Sequence, residues 1–229
     1  CDRCTLEQIE IYDDVLVRLS EMVEAEARVV AAEKLATLRR APERIIRALA
    51  SDDAIEVAAP VLTRSPLLLE DDLVDLIATG QADVQVAIAS RASLPRSLAA
   101  AIAEVAGPEA CLELLENPDA DIAPFSMDRI IDRFGHHAPI RETMLARDDL
   151  SMAMRQSLLS KLSQTLAGFV TARQWMGPEH AEYAAREACE KATVALAADT
   201  AYEELGALVQ HLRQSGQLTA GMLLRALLS

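Results

Sequence analysis

The residues with reactive chemistry are few, and each belongs to a small group. His136 and His137 stand side by side in RFGHHAPI. Adjacent side chains on a helix diverge, so two imidazoles on one metal ion would need a loop. Gly135 and Pro139 supply loop chemistry, and Asp128 and Asp132 are near in sequence, but the stretch reads first as a polar turn between helices. Cys1 and Cys4 form a C-x-x-C. A structural zinc site takes about four ligands, and the other two cysteines, Cys111 and Cys189, fall inside apolar helical segments and read as core. A redox C-x-x-C needs a strand-to-helix context that this sequence does not offer. No nucleophile accompanies His180, in PEHAEYAAREACE; a phosphotransfer histidine sits exposed at mid-helix in a four-helix bundle, and His180 or His211 can be read that way. No nucleophile elbow, phosphate loop, H-E-x-x-H or glycine fingerprint is present. The sequence therefore assigns no catalytic residue, no metal ligand and no cofactor.

Two charged patterns remain as candidate binding groups. Glu70, Asp71 and Asp72 open the helical segment EDDLVDL, where negative charge suits the helix dipole and where it could also form part of an acidic docking surface. Arg64, Arg91 and Arg147 recur at one position of a repeat. One reading is an internal ladder, each guanidinium reaching a helix C-terminus or an acid of the next unit. The other is a row of cations holding an anionic partner.

The elements that position these groups are short helices said nearly twice over. VAAPVLTR ends on Arg64 and VQVAIASR on Arg91, with Val57 matching Val84 and Val61 matching Ile88. Apolar residues three or four apart predict an amphipathic helix in each. A brief turn carrying Pro66 or Pro95 follows, then a second helix, LEDDLVDLI or PRSLAAAIA. Further units place Arg40, Asn117 and Arg147 at the same anchor, so helix pairs recur every 24 to 30 residues. Ser126 is expected to cap the second helix of one unit, SMDRIIDRF. One pair cannot bury its own apolar face, whereas a stack of pairs buries a continuous core. The predicted class is all-α: an α-α superhelix of short HEAT-like repeats. Leu62 and Ile88 should lie in its core.

The tail differs. Residues 151–175 form one long apolar-periodic run, and 177–216 read as one long or two medium helices. Gly216 is a C-terminal stop and Thr219 the cap of a last helix. Residues 1–150 hold 29 acidic and 15 basic residues, whereas 151–229 hold seven of each. The expected organisation is an acidic repeat region, 1–150, and a C-terminal helical bundle or cap, 151–229. The start at Cys1 and the end inside MLLRALLS read as a piece of a longer protein.

A net charge of -14 repels nucleic acid and anionic lipid at long range. Lysine occurs only at 34, 161 and 191, and Trp175 is the only tryptophan, so a duplex-cradling groove is not expected. No run reaches the ~18 apolar residues that a membrane span needs. Four scattered cysteines point to a reducing cytoplasm.

VAAPVLTRSPLLLEDDLVDLI followed by VQVAIASRASL resembles an uncharacterised bacterial family, domain of unknown function 2336, common in alphaproteobacteria. The matching positions are Val61, Leu62, Ser65, Pro66 and Leu68, then Ile88, Ala89, Arg91 and Leu94, then Leu115, Asn117 and Ala120. The closing stretch Leu212 to Leu227 fits as well, and the resemblance covers roughly residues 28–229. It implies a helical-repeat fold and no activity. The functional expectation is a non-catalytic scaffold for a basic or amphipathic protein or peptide. The alternative is a sensory or regulatory module whose C-terminal bundle dimerises or binds a small ligand, and an enzyme of unknown type comes third.

Overall fold

The computed structural model describes residues 6–198 and 202–228, and among them the chain forms fourteen α-helices and no strand. Helices begin where proline fixes φ and no N–H is missed. Pro42 and Pro95 precede α3 (Glu43–Ala50) and α7 (Arg96–Val105), and Pro108 opens α8 (Pro108–Glu116). Pro60 departs from this rule. It sits inside α4 (Ile55–Arg64), where it removes one backbone bond from the ladder.

Packing divides the chain into two compact units, Cys1–Arg129 and Ile130–Ser229. The division falls inside α9 (Pro124–Phe134), before the change in charge at residue 150. Acidity follows what the surface carries, and compactness follows which apolar faces meet, so the two need not change together.

The first unit is built from two sets of helices. α2 (Ala25–Leu35), α4, α6 (Ala82–Ala89) and α8 pack side by side in succession, and α1 (Leu6–Met22) packs on α3 as α5 (Glu70–Thr79) packs on α7. The helices predicted over 57–63 and 84–90 are therefore neighbours, α4 against α6. Hydrogen bonds fix the direction of the even set. Arg91, just beyond α6, donates to the carbonyls of Leu62 and Ser65 at the end of α4. Asn117, just beyond α8, donates at 2.8 Å to the carbonyls of Ala89 and Arg91 at the end of α6. At the other end, Arg28 in the first turn of α2 donates to Asp52, just before α4, at 2.7 Å. C-termini thus adjoin C-termini, and N-termini adjoin N-termini. The even helices are parallel.

The core of this unit is Leu, Ile, Val and Ala, as a chain with 3% aromatic residues requires. Leu62 and Ile88 are both 0% exposed, with Val57, Val61, Leu98 and Ile102 buried around the same layers. Ser126 does not cap α9. The helix begins two residues earlier, at Pro124, and Ser126 lies in its first turn with a buried hydroxyl that has no hydrogen-bond partner among the described residues. Pro124 sets the start because its fixed φ already suits the first helical position.

In the second unit α10 (Ala138–Leu145) is followed by α11 (Met152–Ala172), a single helix over the long apolar run. Residues 177–216 form two helices, α12 (Pro178–Ala198) and α13 (Tyr202–Gln214). Gly216 has φ +68, and the amides of Gln217 and Leu218 bond back to the carbonyl of Leu212, a left-handed stop that favours glycine. Thr219 then caps α14 (Ala220–Leu228), its hydroxyl accepting from the Met222 amide at 3.1 Å. Leu208, Leu212 and Met222 form a small core here, packed by Met152, Val194 and Leu218.

Candidate functional site

The three recurring arginines have different environments. Arg91 is half-buried and donates to two carbonyls of the preceding repeat. Burial lowers its pKa, but a guanidinium keeps its charge at any working pH. Arg64 is exposed, and its Nε lies 3.4 Å from Pro60 of its own helix, so it does not reach the neighbouring repeat. Arg147 donates to both carboxylate oxygens of Asp149, at 2.8 and 2.7 Å. A further arginine does what Arg91 does: Arg155 donates to the carbonyls of Leu145, Arg147 and Leu150 around the end of α10. Its position, eight residues beyond Arg147, hid this role from the repeat alignment.

The Arg147 pair gives a pH dependence. Its hydrogen bonds hold the Asp149 carboxyl below the usual carboxylate range. A depressed pKa contributes stability above the unfolded value and loses it as pH falls through the folded one. Asp149 is exposed, so screening keeps the contribution small. The expected result is that Arg147→Ala returns the Asp149 titration toward the ordinary range, read from its carboxyl carbon by nuclear magnetic resonance, with little change in melting temperature.

The acidic groups at the start of α5 are partly occupied. Asp72 accepts from Arg47 of α3 at 3.2 Å, and Glu70 accepts from Ser97 of α7 at 2.5 Å. Asp71 is exposed with no such contact among the described residues. Similar links run along the odd helices. Asp13 of α1 accepts from the Arg44 and Ile45 amides at the start of α3, and Asp14 pairs with Arg44. Arg96 of α7 pairs with Asp121, and Glu104 of α7 takes both donors of Arg129.

The even helices carry the acids that the sequence reading passed over. Glu26, Glu56, Asp83 and Glu109 are each the second residue of α2, α4, α6 and α8. All four are exposed, and none has an ion-pair partner among the described residues. Because the even helices are parallel, these carboxylates line one rim. Packed helices lie about 8–10 Å apart, which sets the spacing of the row. The signal was in the sequence, an acid at one recurring offset, but its alignment needed the parallel packing.

Among the described residues the histidines and cysteines assemble no centre. His136 and His137 lie exposed in the turn between α9 and α10, their rings 6.3 Å apart and edge-on. Among the described residues no three His, Cys, Asp or Glu side chains are grouped to hold a metal ion. Cys1 and Cys4 lie outside the described residues. Cys111 is buried with its thiol against the Ile102 carbonyl, and Cys189 is half-buried. His180 is exposed in the first turn of α12. His211 is half-buried, its Nε2 3.1 Å from both Ser157 Oγ and Gln156 Oε1. The fully buried Gln156 donates its amide to Gln217 Oε1 at 2.6 Å, so it turns its carbonyl to His211.

Beside this network is a groove of about 930 Å³, bounded by α11, α12 and the turn leading into α14. One end is polar and ordered: Gln217 donates to Ser160, and Thr219 donates to Glu190 at 2.9 Å. The other is lined by Ala167, Gly168, Ala172 and Ala185, side chains too small to fill it.

Among the described residues, no helix is long and apolar enough to cross a membrane. No curated protein and no solved structure matches the chain. The family described as an uncharacterised protein conserved in bacteria, domain of unknown function 2336, matches it over residues 57–229, a span that begins at the α4 core and takes in the arginine and asparagine that tie the repeats. The chain belongs to that family.

Proposed function

We propose that the protein is a non-catalytic helical-repeat scaffold whose even-helix rim docks a basic or amphipathic protein segment. The observation that carries the reading is where the ion pairs fall. Arg44, Arg47, Arg96 and Arg129 are taken up along the odd helices and Arg91 at the helix ends, while Glu26, Glu56, Asp83 and Glu109 stay unpaired on one rim. Each acid alone also stabilises the dipole of its own helix. A full carboxylate exceeds the roughly half charge at a helix N-terminus, so the rim remains negative. A row spaced about 10 Å matches a cation at about every third residue of an extended segment, at 3.3 Å per residue. Asp71, exposed at the start of α5, and Arg64, exposed at the end of α4, lie where the even helices finish and are not part of this row.

The test is affinity capture from native cell lysate, comparing the protein with its Glu56→Lys, Asp83→Lys, Glu109→Lys variant. Exposed charges cost little stability when changed. The expected result is one basic partner enriched by the wild type and depleted about tenfold or more by the variant, since each exposed pair contributes up to about 1 kcal/mol. Equal capture by both proteins, with matching melting curves, would refute the rim as the docking surface. Glu70 and Asp72 are poorer probes, because reversing them also breaks links between α5 and its neighbours.

A further inference from the structure

We propose that the groove bounded by α11, α12 and the α13–α14 turn is a binding site for a small amphipathic organic anion, with an acidic head and a compact apolar body. The inference goes beyond the docking reading and is independent of it, since every group it uses lies in the second compact unit. The volume, about 930 Å³, is within the range of ligand sites, which are concave, largely apolar and fitted with a few placed polar groups.

The charges select the head group. Three charged side chains line the groove, Glu182, Arg186 and Glu190, and the Cys189 thiol lies among them. Glu190 is already satisfied. It accepts from Thr219, and its second oxygen lies against the first turn of α14, 3.2 Å from where a Cβ on Gly221 would stand. The positive end of that helix favours the carboxylate. Arg186 has no partner among the described residues. Its neighbour Glu187 is held by Lys191 and Arg225. Most other cations of this unit are committed: Arg155 to three carbonyls, Lys161 to Asp132, Arg173 to the Phe169 ring. Arg186 is therefore the cation of the groove, held in no ion pair among the described residues, and suited to a singly charged carboxylate or sulfonate. Glu182, exposed one turn before it, opposes a second negative charge and restricts the ligand to a single one.

The remaining lining is suited to the body and to secondary hydrogen bonds. Gly168 leaves bare backbone in mid-helix, with open space where its Cβ would be. Ser160 and Gln217 are held in place by the buried Gln156, so their polar atoms are ordered before any ligand arrives.

The experiment is a fluorescence titration of the whole chain with anilinonaphthalene sulfonate, an anion with an apolar body, followed by displacement with decanoate and with decanol. Leu227, Leu228 and Trp175 are exposed and could take up dye elsewhere, so the variants locate the binding. Gly168→Leu projects into open space and fills the groove without a clash, and a mid-helix glycine is not required for the fold. The expected results are one saturable site, about tenfold or more weaker in Gly168→Leu, about three- to fivefold weaker in Arg186→Gln and about twofold tighter in Glu182→Gln, with unchanged melting curves. Decanoate should displace the dye at lower concentration than decanol. If no saturable site is found, or if the two charge variants leave affinity unchanged, or if decanol competes as well as decanoate, the assignment is overturned. Should Gly168→Leu melt early, the two charge variants, which change exposed groups, still decide the matter.

Discussion

Leu62→Ala and Ile88→Ala are each expected to lower the free energy of unfolding by about 2–5 kcal/mol, the range for truncating a fully buried aliphatic side chain. Both residues are wholly buried, on adjoining helices of the parallel even set. The loss combines the transfer energy of the removed methyl and methylene groups with a cavity the surrounding helices cannot fully close. Single domains are stable by about 5–15 kcal/mol, so the double variant should be near the threshold of unfolding in water. Denaturant titration followed by circular dichroism measures this. Wild-type midpoints in both single variants would show that the helices pack by other faces.

The second large effect belongs to Arg91. Replacing it with methionine keeps the aliphatic stem and removes the guanidinium. The Leu62 and Ser65 carbonyls at the end of α4 then lose a charged donor in a half-buried place. Hydrogen bonds to charged groups contribute about 1.5–3 kcal/mol, and a stranded carbonyl adds its desolvation cost. A loss of about 2–4 kcal/mol is expected for Arg91→Met. Arg64→Ala, at the same repeat position but exposed, should change stability by less than about 0.5 kcal/mol. A pair of thermal melts distinguishes them. Equal effects would mean that the recurring arginines share one role, which the two geometries contradict.

Much of the fold was legible because helix period and punctuation are local. The three- and four-residue apolar spacing placed α4 and α6, and Pro95 in its turn marked where α7 begins. Gly216 and Thr219 announced the break and cap before α14 with the chemistry they use. Ser126 misled because serine is a good cap in isolation, while Pro124 two residues earlier sets the start of α9. The arginine repeat was seen, but not that Asn117 performs the tie of Arg91 with an amide, or that Arg155 performs it from a different offset. These depend on which carbonyls stand opposite, a question of tertiary contact. The acidic start of α5 stood out as a cluster of three, yet Glu70 and Asp72 bind neighbouring helices. Glu56, Asp83 and Glu109 are single acids that become a row only when the even helices lie parallel. The groove was illegible for the same reason, because its lining comes from three separate stretches of the chain.

Isothermal titration of the captured partner segment at low and at high ionic strength, against the wild type and the Glu56→Lys, Asp83→Lys, Glu109→Lys variant, tests the docking claim most directly. Charges on the rim act over about 8 Å at physiological ionic strength, so added salt must weaken a rim-bound complex. The account predicts an affinity that falls as salt rises in the wild type, and a variant that binds weakly with a flattened salt dependence. An affinity indifferent to salt, with wild-type binding by the variant, would contradict it.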